Sequence, residues 1–461
     1  MSAPNLTVDR MPRGALPGSA HPQPVARGGD LLRIAPVIVL VVALMMPPEV
    51  RVNLAGQTLY AYRLAWMLLL PWTIVRLRQG DLTWRLNDLF VFLGSAWMTV
   101  SFMIVYGPGP GFMPGMALTL DVFMPYLIAR LAIRDLNDLR RALIFMAPLV
   151  FLVAAILPLE GLADRRYLRD AAAAIFGNLG AAEFGSSFEP SIAMDQRYGL
   201  LRAMGPFSHP ILAGLFFSSL LPLYHFSRIR GWPKVLGMLS GLGAVFTFSS
   251  AAMIGLILFF VFAVFDAVRR IVTFLNWPIF MGATVAVLSA LHVVSQNGLI
   301  AVLIRYTFNP ASGRYRLLIW EYGSNSVERH PLFGIGFAQF DGLDWMGNSV
   351  DAFWLAIAVR NGLPAAVFLV LATLLAFVGL TLAVRRETGP DEATLIGLAA
   401  TICVIFLLGF TVSFFGGLLT WFAILLGVAT TFGGLTMPRR SATTLPLGPA
   451  VQPAAFGQGT R

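Results

Sequence analysis

Long apolar runs recur along the chain and are separated by polar connections. The runs approach the roughly 20 residues that a helix needs to cross a bilayer, and they lack the two-residue alternation of barrel strands. A spanning segment must satisfy its own backbone hydrogen bonds, which favours helices. We predict spans at residues 33–48, 57–75, 88–107, 112–131, 141–158, 209–226, 232–249, 251–268, 272–293, 362–384, 393–411 and 414–434. The predicted fold is all-α, a polytopic integral membrane protein with about 12 transmembrane helices.

Composition agrees with this prediction. Charged residues make up 12% of the chain and hydrophobic residues 57%, whereas about 25% of a soluble domain is charged. The formal net charge is +10. Arginines flanking the spans explain this charge better than nucleic-acid binding, which we do not expect. Cys403 is the single cysteine, so an internal disulfide is excluded.

The two ends of the chain differ from the membrane domain at 31–436. Residues 1–30 are rich in Pro, Gly, Ala and Arg and lack an apolar core, and residues 437–461 are rich in Pro and Ala. Both are predicted to be disordered tails.

The distribution of arginines among the short connections between spans predicts the orientation, because cytoplasmic loops are enriched in Arg and Lys. If the N-terminus is cytoplasmic, nearly all the arginines of the short connections fall in inner loops. The short outer connections near 108–111, 250 and 412 carry none. We therefore expect a multi-pass membrane protein with both termini cytoplasmic. Two long polar segments, 159–208 and 294–361, then lie on the outer side.

The second outer segment concentrates candidate chemistry. A helix is predicted near Ser312–Gly323, a glycine turn follows His330, and another helix leads into the span that begins near Gly362. Charge is gathered here in a chain that otherwise avoids it. The candidate side chains are Arg305, Arg314, Arg316, Glu321, His330, Asp351 and Arg360.

The first outer segment carries Arg197 and Arg202 just before a span, and His209 lies at the outer end of that span. Guanidinium groups form forked hydrogen bonds to phosphate oxygens, so arginines at a membrane surface suit a diphosphate. The alternatives are anchoring of the arginines to the phosphates of membrane lipids and a turn-capping role for His209.

One pair of charges lies within predicted spans. Arg63 falls in the outer half of the second span and Asp121 near the middle of the fourth. Because an unpaired charge at such depth is costly, we predict that they pair or line a polar cavity.

The ordered motifs resemble those of the O-antigen ligase and polysaccharide polymerase superfamily. They are Gly205-x-x-x-His209-Pro210 before a span, Arg314-x-x-x-Leu318 with Trp320, and the run HPLFGIG from His330, followed by a Gly-led span. The resemblance covers about residues 195–430. It implies a GT-C-like glycosyltransferase of the bacterial inner membrane, in which the two outer segments form a large periplasmic loop region. The enzyme would move a glycan from an undecaprenyl diphosphate carrier to an acceptor hydroxyl at the periplasmic face, with inversion and without a cofactor or metal.

The resemblance also implies residue roles. Arg197-x-x-x-Leu201 and Arg314-x-x-x-Leu318 look like the arginine motifs that hold the donor diphosphate, with Arg202 and Arg316 beside them. Ligases of the family carry a His where this chain has Asp351, which weakens the ligase assignment. Asp351 is the predicted base, and His330 is the alternative. Glu321 is a further catalytic candidate; His209, Arg305, Arg360, Arg63 and Asp121 are possible supporting residues.

Several functional alternatives stay open. A polymerase takes a second carrier-linked glycan as acceptor, and a ligase takes lipid A core. A chain-length regulator or other envelope-assembly proteins are possible partners, together with membrane lipids. A transporter or flippase for a lipid-linked or anionic substrate fits twelve spans equally well, but the two halves of this chain are unequal and its polar residues lie in two outer loops. A third hypothesis is that the protein is a scaffold of an envelope-assembly complex.

Overall fold

The structure is a computed structural model that describes residues 28–54, 57–178, 196–272, 274–277, 280 and 310–434. Most described residues are helical. The α-helices are α1 Gly28–Leu44, α2 Ala61–Leu68, α3 Leu70–Arg78, α4 Leu86–Tyr106, α5 Pro108–Ala132, α6 Leu136–Ala163, α7 Tyr167–Phe176, α8 Pro210–Phe226, α9 Trp232–Leu242, α10 Ser250–Arg269, α11 Pro310–Arg329, α12 Phe353–Asn361, α13 Leu363–Val384, α14 Pro390–Leu408 and α15 Gly417–Gly433. A 3-10 helix, Gly243–Thr247, continues α9.

Six of the described helices are long and apolar enough to cross a membrane, namely α4, α5, α6, α10, α13 and α14. Residues 31–44 of α1, together with α8 and α15, are shorter apolar helices. The chain is thus a mostly helical, multi-pass membrane protein, but the predicted count of twelve spans is not reproduced in the described residues. The predicted span 57–75 is divided between α2 and α3, where Pro71 lies at the start of the second helix. The predicted span 232–249 is a short helix followed by a 3-10 helix, and most of the predicted span 272–293 lies outside the described residues.

Two small antiparallel hairpins depart from the all-α prediction. Strands β1 Arg51–Leu54 and β2 Gln57–Tyr60 pair with Arg51 opposite Tyr60. Strands β3 Gln196–Arg197 and β4 Leu200–Leu201 pair with Gln196 opposite Leu201. Both hairpins lie in connections between helices, so the membrane domain itself remains helical.

Helix α8 is the centre of one half of the bundle. Every residue of it is buried except Ile211 and His225, and α9, α10 and α14 pack around it. A helix that is apolar on all sides is typical of a fully enclosed position. The Tyr224 hydroxyl donates to the Leu143 carbonyl at 2.7 Å, and Trp421 Nε1 donates to Ser219 Oγ at 2.9 Å. These bonds fix α8 relative to α6 and α15.

The other half of the bundle packs α4, α5, α13 and α15 together. Small residues allow close backbone approach, as in many membrane helix pairs. A Cβ atom at Gly379 would lie 1.3 Å from the Gly433 carbonyl oxygen. Any larger residue at this crossing would force α13 and α15 apart.

The run HPLFGIG forms a loop that holds α12 against α4. Trp97 Nε1 donates to the Leu332 carbonyl at 2.9 Å, and the Gly336 amide donates to the Arg360 carbonyl at 2.9 Å. Gly362 has a φ of 84°, and a Cβ there would lie 2.0 Å from the Leu332 carbonyl oxygen. The loop therefore sets the position of the α12–α13 junction.

Ion pairs gather at one end of the bundle, which we call the paired end. It contains residues 76–88, 130–141, 227–234, 266–270 and 385–394. Its ion pairs include Arg76–Asp81, Arg134–Asp81, Arg130–Asp88, Arg140–Asp391, Arg141–Asp138, Arg269–Asp266, Arg269–Glu392 and Arg270–Asp266, and Arg33 pairs with Asp135 and Asp138. The opposite end carries both hairpins, α7, α11 and α12.

Candidate functional site

The β3–β4 hairpin presents Arg197. Its two turn residues, Tyr198 and Gly199, have φ values of 54° and 76°, the combination required by a tight type I′ hairpin. Arg197 Nη1 donates to the Phe248 carbonyl at 2.6 Å. The guanidinium is thereby held against the turn that precedes α10.

Arg202 follows the hairpin and is buried, with 8% of its surface exposed. Its Nε donates to the Thr247 carbonyl at 3.4 Å, and the Ala203 amide next to it donates to the Phe246 carbonyl at 3.1 Å. Because Arg197 also contacts this turn, the two arginines lie on the same support.

A buried carboxylate holds the chain between Arg202 and α8. Glu160, at the end of α6, is fully buried, and its Oε2 accepts hydrogen bonds from the amides of Met204 at 3.1 Å and Gly205 at 2.9 Å. This residue was missed from the sequence. The available signal was a single carboxylate at the end of an apolar run, since an acidic group at such a position needs partners.

His209 is the N-cap of α8, as the capping alternative predicted. Its Nδ1 accepts a hydrogen bond from the Ile211 amide at 3.1 Å. Burial, followed by the charges of four arginines, lowers the pKa of His209 to about 3. Those arginines, Arg202, Arg316, Arg166 and Arg197, are called the arginine cluster below.

Arg316 brings the second polar segment to the arginine cluster. It lies on α11 and is buried, with 8% of its surface exposed. Burial lowers its pKa, while the charge of Asp351 opposes this effect and that of Arg197 reinforces it. Within the part of the chain that the structure describes, Arg316 makes no hydrogen bond or ion pair, and its Nε is buried without a partner. Such a guanidinium is well suited to bind an external anion.

Asp351 shares a small cleft with Arg316. The cleft is narrow and is also lined by Ile319, Trp320, Ala352, Phe410 and Thr411. Ser349 Oγ donates to Asp351 Oδ1 at 2.8 Å. The Asp351 carboxylate is half-buried and therefore lies beside a buried positive charge without forming a close ion pair with it.

Neighbouring contacts fix the walls of this cleft. Trp320 Nε1 donates to the Phe410 carbonyl at 3.0 Å, and the Phe353 amide donates to the Val412 carbonyl at 3.0 Å. Phe353 stacks on Phe414 with ring centroids 4.4 Å apart. The segments that carry Arg316 and Asp351 are thus both bound to the connection between α14 and α15.

The other candidates on α11 lie elsewhere. Arg314 and Glu321 are exposed, whereas Arg316 is buried. Since successive helical residues are about 100° apart, Arg314 and Arg316 point about 200° apart. His330 is exposed just beyond the end of α11, about 20 Å along the helix from Arg316. The structure brings Arg316 to the arginine cluster but places Arg314, Glu321 and His330 outside it.

The candidate supporting residues are also dispersed. Arg63 and Asp121 form the predicted ion pair, with Nη2 and Oδ2 2.6 Å apart. The Arg360 guanidinium lies over the Phe337 ring, 5.4 Å from its centroid, and burial lowers its pKa. Arg305 lies outside the described residues.

Two polar segments that are distant in the sequence therefore converge. Arg197, Arg202 and His209 come from the first, and Arg316 and Asp351 from the second. Arg166, at the start of α7, joins them. The site combines several guanidinium groups, a neutral imidazole and the Asp351 carboxylate, with Glu160 bound to the backbone beside them. Such a set can hold a polyanion next to a proton acceptor.

Comparison with known proteins finds a family match over the second of the two converging segments. Residues 235–370 match a family model described as O-antigen ligase. The match includes Arg316 and Asp351, and it covers less than half of the chain. It confirms the resemblance to the O-antigen ligase and polysaccharide polymerase superfamily, and supports a membrane function of that general type with glycosyl transfer. No curated protein matches the chain.

Proposed function

We propose, from the match of residues 235–370 to the O-antigen ligase model, that this protein is an inverting glycosyltransferase of the bacterial inner membrane. Its donor is a glycan linked to undecaprenyl diphosphate, and its acceptor is a hydroxyl of a second glycan or of lipid A core. The reaction takes place at the periplasmic face. The observation that carries this proposal is the convergence of Arg197, Arg202 and Arg316 around His209, next to Asp351.

The arginines bind the diphosphate. The charges of Arg197 and Arg316 act on one another, and neither pairs with a described carboxylate within ion-pair distance. Two like charges held near each other are costly in a buried setting, and a bound diphosphate removes that cost. Arg316, as the buried residue of α11, takes the role that the sequence motif suggested for Arg314.

Asp351 accepts the proton of the acceptor hydroxyl. The acceptor oxygen forms a bond to the anomeric carbon of the donor sugar, and the bond from that carbon to the diphosphate oxygen breaks. The diphosphate leaves with the bonding electrons, and nearby guanidinium groups stabilise its charge. Attack of the acceptor oxygen from the side opposite the leaving diphosphate inverts the anomeric configuration.

The test uses the purified protein in lipid nanodiscs with an oligosaccharide linked to undecaprenyl diphosphate. We expect Asp351→Asn to lower the transfer rate about 100-fold or more while the donor still binds, because a general base contributes about 10²–10⁴. We expect Arg316→Met to weaken donor binding and transfer together.

Arg329→Met is the matched control, since Arg329 is exposed on the same helix and pairs with Asp341. Full transfer by both Asp351→Asn and Arg316→Met would refute the proposal. Arg314→Met tests the choice between the two arginines of α11, and a larger loss from it than from Arg316→Met would reverse that choice.

The acceptor class is tested in a deletion strain. Loss of long polymer with a surviving single repeat indicates a polymerase. Long polymer that stays on the carrier and is absent from lipid A indicates a ligase. Transfer in the presence of EDTA tests whether the reaction proceeds without a metal ion, as we expect.

A further inference from the structure

His209 has two ring nitrogens in different settings. Nδ1 accepts the hydrogen bond from the Ile211 amide at 3.1 Å. A nitrogen that accepts a hydrogen bond carries no proton, so the proton of the neutral ring is on Nε2. Within the described residues, Nε2 has no hydrogen-bond partner.

The surroundings of His209 oppose a second proton. The charges of Arg202, Arg316, Arg166 and Arg197 add to the effect of burial in lowering its pKa. Protonation would add a fifth positive charge to this group and would break the bond to the Ile211 amide. The ring is therefore fixed as an uncharged donor, and it cannot act as the base.

We propose that His209 donates its Nε2–H to the carrier diphosphate as a neutral hydrogen-bond donor, alongside Arg197, Arg202 and Arg316. This inference rests on the proposed function and deepens it. It assigns the α8 N-terminus, with its fixed imidazole, to recognition of a phosphate oxygen. It also separates this role from proton transfer, which stays with Asp351.

Two substitutions separate the nitrogens. In His209→Asn, the amide oxygen can replace Nδ1 as the cap of α8, but the Nε2–H is lost. In His209→Gln, the amide nitrogen can take the position of Nε2, but the cap is lost. If His209 only caps the helix, His209→Gln should be impaired more than His209→Asn. If His209 binds the diphosphate through Nε2–H, His209→Asn should be impaired more in diphosphate binding than His209→Gln.

The experiment measures binding of undecaprenyl diphosphate and of undecaprenol to the full chain in nanodiscs. We expect His209→Asn to weaken diphosphate binding about 10-fold, as for the loss of one hydrogen bond to a charged group. We expect His209→Gln to bind within about 3-fold of wild type, while its thermal midpoint falls below that of His209→Asn. Undecaprenol binding should be the same in all variants.

Three outcomes would overturn the inference. Wild-type affinity in His209→Asn would reduce His209 to a helix cap. Equal losses in His209→Asn and His209→Gln would remove the donor role. A ratio of wild-type to His209→Gln affinity that rises as the pH falls from 8 to 6 would identify a charged imidazolium, and this ratio cancels the ionisation of the ligand itself.

Failure of the proposed function has a different signature. Arg316→Met is the reference variant, and Arg329→Met is the control. If wild type binds undecaprenol as tightly as the diphosphate, and Arg316→Met changes nothing, both proposals fall. If Arg316→Met loses diphosphate binding and His209→Asn keeps it, only the inference on His209 falls.

Discussion

Arginines occupy opposite electrostatic settings in the paired end and in the arginine cluster. At the paired end, Arg130 Nε lies 2.9 Å from Asp88 Oδ1, and both side chains are almost fully buried. In the arginine cluster, Arg316 is as well shielded from water but has no such partner among the described residues. The same type of side chain thus holds helices together in one region and, in the proposed function, binds an anion in the other. Removing the charge is therefore expected to lower the free energy of unfolding at the paired end and to raise it in the arginine cluster.

The largest expected effect is at the paired end. Arg130→Met leaves the Asp88 carboxylate buried and uncompensated, which typically costs about 3–5 kcal/mol. We expect a loss of that size in the free energy of unfolding, measured by SDS titration in mixed micelles. Transfer activity per folded molecule should stay unchanged. The double variant Asp88→Asn with Arg130→Met should recover part of the loss, and no recovery would contradict the ion-pair explanation.

The next effect has the opposite sign. Arg316→Met removes a buried charge that lacks a protein partner, and it should raise the free energy of unfolding by about 1–3 kcal/mol. The same titration checks this value, with Arg329→Met as the exposed control on the same helix. A destabilised Arg316→Met protein would show that Arg316 has a structural role, and the comparison between the two regions would then fail.

Acidification provides a smaller effect at His209. Its pKa is lowered from 6.5 to about 3, so below pH 6.5 the unfolded chain binds a proton that the folded chain does not. Stability should fall as the pH falls from 6.5 toward 3, with a loss of about 1 kcal/mol from this residue at pH 5.5. The difference between the stabilities of wild type and His209→Asn at each pH separates the contribution of His209 from that of the carboxylates. Parallel pH profiles for the two proteins would contradict the low pKa.

The smallest effect is expected at the exposed Arg329–Asp341 pair, whose nitrogen and oxygen are 3.1 Å apart. Exposed pairs contribute only about 0–1 kcal/mol, and salt screens them. A double-mutant cycle with Arg329→Met and Asp341→Asn should give a coupling energy in that range, lower in high salt. A coupling as large as that of Arg130 and Asp88 would show that exposure does not explain the difference between the pairs.

Much of the helical organisation could be predicted from apolar run length. The predicted spans 88–107 and 362–384 correspond to Leu86–Tyr106 and Leu363–Val384, because a run of about 20 apolar residues has few other stable states. The run at 57–75 misled the prediction. Its composition fits a span, but Pro71 lacks a backbone donor and starts a new helix instead of continuing the old one.

The site was predictable only in part. The sequence shows which residue types lie near one another along the chain, but it does not show which face of a helix packs against the rest of the protein. Arg197, Arg202 and His209 lie close together in sequence before one helix, so a shared anion-binding role could be predicted for them. Spacing alone does not reveal which side of α11 is buried, so Arg314 and Arg316 looked equivalent. Glu160 acts on the amides of residues 204–205, which lie more than 40 positions away, and no local pattern announces such a contact.

The enclosure of α8 has a consequence for the energetics of the reaction. Helices α9, α10 and α14 pack around it, His209 caps its start, and Arg202 is held by the Thr247 carbonyl, so these groups have little freedom to lose when a substrate arrives. Ordering flexible side chains usually consumes part of the free energy of association. In the proposed reaction, Arg202 and His209 are already ordered by folding, so more of the attraction between guanidinium and phosphate is left to lower the activation barrier.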